Sequence, residues 1–158
     1  MDQLPFRIRV MGWEKAAGLS SPIRKQVYIV EQNIPAELEW DGLDDSARHA
    51  IAMLDDGPIN GPTHGPTSGQ VIGCARLLPG GQIGRMAVLA SWRRRGIGAG
   101  LLQAMEQEAG RLDYPLVFLH AQHQAMPFYT RYNYQAVGEN FHEAGIPHIK
   151  MQKILSGR

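Results

Sequence analysis

The sequence predicts a mixed α/β fold, an α+β sheet with flanking helices rather than a doubly wound one. Three observations predict it. Strand-like and helix-like segments are interleaved along the whole chain. Several strands follow one another through short turns, as hairpins do. One apolar run, Leu116-Val117-Phe118-Leu119, does not alternate and reads as a strand buried on both faces.

In chain order, Phe6, Ile8 and Val10 alternate with Arg7 and Arg9, the pattern of a half-buried strand. Ser21-Pro22 has the form of a helix start, a serine N-cap followed by proline in the first turn. Ile23, Val27 and Val30 would share one face of that helix, and Asn33-Ile34-Pro35 would end it. Ala50 to Leu54 reads as a strand. Residues 55–70 hold four glycines and three prolines and read as a flexible loop between two strands. Gln70–Leu78 and Gln82–Leu89 are the next strands, separated by Pro79-Gly80-Gly81. A helix after Gly96 places Leu101, Leu102, Met105, Ala109 and Leu112 on one stripe. Pro127 lies in the first turn of a short helix ending at Tyr132-Asn133, and Ile146 to Ile154 holds the last strand.

The 158 residues fit one domain, 1–158. With 44% apolar and 20% charged residues, the composition is ordinary for a soluble protein and argues against disorder. Lys+Arg number 16 against 15 Asp+Glu, for a net charge of +1, which gives no reason to expect nucleic acid or an anionic membrane as partner. No window approaches the ~18–20 consecutive apolar residues of a membrane span, and the start of the chain has no signal-peptide core. The single cysteine, Cys74, excludes an internal disulfide and points to a reducing, cytoplasmic setting. Its mid-strand position suggests a buried structural thiol. His120-x-x-His123 has too little ligand spacing around it for a metal site, so no metal is expected.

The most informative stretch is a strand, then Arg93-Arg94-Arg95-Gly96-Ile97-Gly98-Ala99, then a helix. A helix start offers unpaired N–H groups and a partial positive charge, and glycines let an anion approach the main chain. The P-loop pattern is absent, because no Lys-Ser or Lys-Thr follows. The dinucleotide fingerprint is absent too, because its third glycine is out of place.

Arg93-x-x-Gly96-x-Gly98 resembles the Arg/Gln-x-x-Gly-x-Gly/Ala signature of the GCN5-related N-acetyltransferases, the GNAT superfamily. A second stretch, Gln122-x-x-Ala125-x-x-Phe128-Tyr129-x-x-x-Asn133-Tyr134, is similar to the family's pattern, with Gln122 where Asn is usual and Asn133-Tyr134 where Gly-Phe is usual. Asn is the next best residue after Gly at a left-handed helix end, so Asn133 keeps the turn. The likeness covers residues 6–153. It looks closest to the ElaA-type branch through Arg24–Gln32, Glu39-x-Asp41-Gly42-x-Asp44, Ile83-Gly84-Arg85 and Gly145-Ile146-Pro147-His148-Ile149.

The resemblance implies a mostly antiparallel sheet with one splayed strand pair and acetyl-CoA as co-substrate. It implies a CoA site built from Met86, Ala87 and Val88 on the splayed strand, Arg93, Arg94, Arg95, Gly96, Ile97, Gly98 and Ala99 in the loop, and Gln122 and Phe128 beyond. It implies acetyl transfer to a primary amine by direct attack, with Tyr129 as general acid and a backbone N–H such as Val88's polarising the carbonyl. By spacing alone Tyr129 is one aromatic among Phe128, Tyr132 and Tyr134. Glu31 and His148 are the candidate bases, and each also reads as a structural residue. His120 and His123 flank the end of a strand and could approach the acyl group.

Residues 31–47 carry Glu31, Glu37, Glu39, Asp41, Asp44 and Asp45 and no Lys or Arg, a formal charge of −6. If the segment borders the cleft, Glu39 and Asp41 would attract a cationic acceptor: an amine, a polyamine, an aminoglycoside-like molecule or a basic peptide. Otherwise it is a solvated loop. The expected partners are acetyl-CoA and the acceptor, and a homodimer is compatible with the sequence. Two other readings stay open: a CoA-binding sensor of the same fold without turnover, and a nucleotide-binding protein using the Arg-Gly loop.

Overall fold

The computed structural model describes residues 6–54 and 69–155. The Gly/Pro-rich stretch at 55–70 therefore lies, but for Gly69 and Gln70, outside the described residues. Seven strands form one sheet in the order β1-β2-β3-β4-β5-β7-β6. They are β1 (Phe6–Met11), β2 (Arg48–Leu54), β3 (Val71–Leu77), β4 (Gln82–Val88), β5 (Leu116–Gln122), β6 (Gln135–Glu143) and β7 (Ile146–Ile154). All neighbours are antiparallel except β4 and β5.

Helix α3 (Ile97–Arg111) covers one face of the sheet. Leu101, Leu102, Met105 and Ala109 of the expected stripe pack there on Ala50, Ile72, Val117 and Leu119. Helix α1 (Trp13–Arg24) covers the other face, with its Ala16 and Ile23, and Val27 just beyond its end, on Ile51, Cys74 and Ala87.

Helix α1 starts at Trp13 instead of Ser21-Pro22, and it continues beyond Arg24 as a π-helical stretch over Lys25–Glu31. Its buried stripe is Ala16, Ser20, Ile23, Arg24 and Val27. Two polar members, Ser20 and Arg24, hide that stripe from a hydrophobicity reading. Pro22, inside the helix, brings no N–H for the carbonyl of Gly18. Strand β6 carries no clear hydrophobic pattern in the sequence, because only Val137 and Phe141 in it are even partly buried, as suits a polar edge strand. β5 is fully buried at Val117, Leu119 and Ala121 only, while Leu116, Phe118, His120 and Gln122 face the α1 side and are partly open.

Two irregularities shape the centre of the sheet. The pairing of β2 with β3 shifts at Ala52/Met53, so Ile72 joins the α3 core and Cys74 the α1 core, although they are two residues apart. β4 is bulged against β3 near Arg85, whose φ is 47°. The bulge changes the alternation: Ile83 faces α3 and Ala87 faces α1. Beyond it the strands part. β4 and β5 are in register only at Gln82↔Phe118 and Ile83↔Leu119, after which they fork.

Candidate active site in the forked sheet

The fork opens into a cavity of about 1150 Å³ that reaches both faces of the sheet. On the α3 side it is lined by Gly96, Gly98, Ala99, Phe128 and Tyr129, and on the α1 side by Tyr28, Leu38, Glu39, Asp41 and Leu43.

Gly96 caps α3 with φ 85°, a left-handed conformation that needs glycine more than it needs space, since a Cβ there would meet nothing within 4 Å. The first helical bond is donated by Gly100 N–H to Gly96 O at 3.0 Å. The N–H groups of Ile97, Gly98 and Ala99 thus have no intrahelical acceptor. At Gly100 a Cβ would lie 2.8 Å from Ile8 Cδ1, so a larger residue there would need the Ile8 side chain to shift.

The three arginines take different roles. Arg93 turns away from the helix start: its Nε donates to Val88 O at 2.8 Å, and its two terminal nitrogens each donate to Glu31 at 2.7 Å. Arg95 lies over the Trp92 ring at 5.1 Å. Arg94, with φ 64°, is exposed and lines the cavity.

On β4, Leu89 N–H donates to Ile72 O at 2.9 Å. By alternation, the main-chain polar groups of Met86 and Val88 point into the fork. Their carbonyls are already occupied, Met86 O by the Tyr28 hydroxyl at 2.6 Å and Val88 O by Arg93. What remains to face the gap are two N–H donors. Tyr28, which lies in the Arg24–Gln32 stretch but to which the resemblance gave no role, is partly buried, and desolvation holds its phenol well above the usual range.

Helix α4 (Met126–Arg131) ends as the sequence predicts: Asn133 is left-handed, with φ 74°. Tyr134 N–H bonds Tyr129 O and Asn133 N–H bonds Thr130 O, the paired bonds of a Schellman end. Tyr129 packs edge-on against Phe128, with centroids 5.2 Å apart, and lines the cavity. Among the described residues none hydrogen-bonds its hydroxyl. Burial pushes that phenol up to about 12.

Two histidines face the α1 side. His148 is buried and stacks on Phe141, and its Nδ1 lies 2.7 Å from Ile146 O. A carbonyl only accepts, so Nδ1 carries the proton, and in the neutral ring Nε2 is a lone pair. His120 Nδ1 lies 3.0 Å from Glu143 Oε1, and the other oxygen of Glu143 is 4.0 Å from His148 Nε2. His123 is bonded instead to Asn140. Gln122 Nε2 donates to Gln32 Oε1 at 2.9 Å, joining β5 to the end of the π-helical stretch.

The acidic segment is not a free negative surface. Arg24, 1% exposed, bonds Glu39 and Asp44 at 2.7 Å each. Arg76 bonds both oxygens of Asp41, and also Asp44. Arg85 reaches Asp41 at 3.1 Å and the carbonyls of Leu38 and Glu39. With Glu31 on Arg93, four of the six carboxylates are paired with arginines drawn from α1, β3, β4 and the loop. Burial raises the Asp41 carboxyl, but the Arg76 hydrogen bonds, the Leu43 amide and the charges of Arg76 and Arg85 outweigh it and hold it at about 2. Glu39 is pushed up by burial in spite of Arg85 and Arg24. Glu31 is held below the usual range by Arg93. Cys74 is buried and its thiol pushed up to about 12, so it stays protonated and inert.

A sheet that forks between two parallel strands beside a glycine-started helix defines an acyl-CoA N-acyltransferase fold. The Acetyltransferase (GNAT) domain model matches residues 66–155. The protein belongs to this family and is an N-acetyltransferase. It is 34% identical over 133 residues to the uncharacterized N-acetyltransferase YjcF of Bacillus subtilis, covering 83% of this chain and 87% of that one. An acyl-CoA N-acyltransferase structure from Pseudomonas aeruginosa superposes with a TM-score of 0.77 at 30% identity, over 94% of this chain and 99% of the other. Escherichia coli ElaA gives a TM-score of 0.74 at 25% identity, over 93% and 99%.

Proposed function

We propose that the protein transfers an acetyl group from acetyl-CoA to the primary amine of a small acceptor inside the β4–β5 fork. One observation carries this reading: the strands separate after Ile83↔Leu119, leaving main-chain donors open beside a helix whose first turn is also unpaired. Acetyl-CoA supplies an acetyl group activated as a thioester, with a thiol to leave. The N–H groups of Ile97, Gly98 and Ala99, with Arg94 and Arg95 nearby, suit its phosphates. The N–H groups of Met86 and Val88 suit an extended amide-bearing arm and the carbonyl oxygen. Phe128 forms the apolar wall between them, and Gln122 and Ala87 border the same space.

Tyr129 holds its proton throughout the neutral range, because its phenol sits at about 12. A thiol titrates near 8.5, so complete transfer to the departing sulfur would run uphill. The hydroxyl therefore acts chiefly as a hydrogen-bond donor to that sulfur. His148, oriented through Ile146 O, presents Nε2 as the acceptor of the amine's proton, directly or through water. Glu31 is a strut that fixes Arg93 and the end of β4, since a carboxylate held ionised by arginine is a poor base. Glu39 and Asp41 serve the acceptor side through the arginines they hold.

Release of free thiol from acetyl-CoA on adding an amine tests the reading. Release that depends on both components supports it. Tight CoA binding with no release from any amine would make the protein a CoA-binding module.

A further inference from the structure

We infer that the acceptor carries its amine on an apolar body and is not a polycation, an inference that rests on the transferase reading above. The carboxylates lining the cavity are Glu31, Glu39, Asp41 and Glu143. The first three are bound by arginines. Glu143 alone among them is paired, within the described residues, with histidines and not arginine, His120 at 3.0 Å and His148 at 4.0 Å. The cavity therefore offers one place for one ammonium. A second or third cationic group would find, among the described lining residues, only carboxylates already paired with arginine.

Part of the remaining surface on the α1 side is apolar, beside the polar pair Gln32 and Gln122. Leu38 and Leu43 are 50% and 46% exposed, large for leucines, and both line the cavity together with Ile34 and Leu78. His120 shares that side, because Val117, Leu119 and Ala121 occupy the opposite face of β5. One occupant satisfies both features: its ammonium at Glu143, its hydrocarbon on Leu38 and Leu43. The seat also brings the nitrogen beside Nε2 of His148.

The test measures binding and turnover separately. With CoA bound, n-hexylamine, ethanolamine and spermidine are titrated by calorimetry, and thiol release from acetyl-CoA is followed with each. The expected result is hexylamine binding about tenfold tighter than spermidine and than ethanolamine. The double variant Leu38→Asn, Leu43→Asn should lose most of the hexylamine preference while keeping acetyl-CoA affinity, which also reports its folding. Glu143→Gln should weaken all three amines. Spermidine binding as tightly as hexylamine, or an unchanged preference in the leucine variant, overturns the inference. Turnover with spermidine in that case leaves the transferase reading intact. Selective hexylamine binding with no thiol release from any amine supports the acceptor seat and overturns the transferase reading instead.

Discussion

The amide of Tyr134 donates to the carbonyl of Tyr129 at 3.1 Å, and the two rings meet edge-on with centroids 5.9 Å apart. This is the hydrogen bond and the apolar contact of a single helix end. It ties the orientation of Tyr129 to the buried ring of Tyr134, whose hydroxyl donates to Glu106 at 2.7 Å. A six-residue helix could not fix a side chain by itself, and here its terminus does so.

Tyr129→Phe removes the donor and leaves the ring packing. We expect kcat to fall about 10²-fold, near 2.7 kcal/mol, with KM for acetyl-CoA nearly unchanged. Tyr132→Phe should change little. Because the Tyr129 phenol sits at about 12, the wild-type rate should show no falling limb from its ionisation between pH 7 and 10. Parental kcat in Tyr129→Phe, with chemistry limiting, would remove it from the mechanism.

Gly96→Asp adds a negative charge at the helix start and forces a side chain into the left-handed region, so CoA affinity should drop at least about tenfold. Gly96→Asn separates the two effects, because Asn tolerates that region and is neutral. It should lose only a few-fold. A folded Gly96→Asp that binds CoA within about threefold, or 0.7 kcal/mol, places the anion elsewhere.

Glu31→Gln distinguishes a strut from a base. Loss of the Arg93 pair should raise KM for acetyl-CoA a few-fold and leave kcat within about threefold, in line with the modest worth of exposed ion pairs. A kcat loss of about 10²-fold or more, with KM unchanged, would assign Glu31 the proton transfer.

Asp41 is held at about 2 in the folded protein and titrates near 3.9 when unfolded. A depressed carboxyl contributes stability above its unfolded value and loses it as pH falls through the folded one. Asp41→Asn should therefore lower Tm clearly at pH 6–7, and the gap to the parent should narrow as pH falls from 4 toward 2. Glu39 shifts the other way but is common to both proteins. A gap that stays constant or widens in acid would contradict the pairing with Arg76 and Arg85.

Local signals carried the fold and the glycine turn that starts α3. The alternation in β1, the stripe of α3, the glycine turn and the left-handed Asn133 each depend on neighbours in sequence. The α1 side of the cavity depends on distant partners. Arg24, Arg76 and Arg85 come from three different elements, and their carboxylates look like a solvated acidic run until the fold brings them together. The same arginine at position 24 concealed the buried stripe of α1. Tyr28 on Met86 O and Glu143 on His120 are likewise long-range contacts with no spacing to announce them.

The central claim is that the fork holds acetyl-CoA and delivers its acetyl group to an amine. Mass spectrometry of the products formed from acetyl-CoA and a primary amine such as n-hexylamine tests it most directly. The account predicts N-acetylamine and free CoA in equal amounts, with both falling about 10²-fold in rate in Tyr129→Phe. Free CoA formed at the same rate with and without amine, and no acetylated amine, would contradict it.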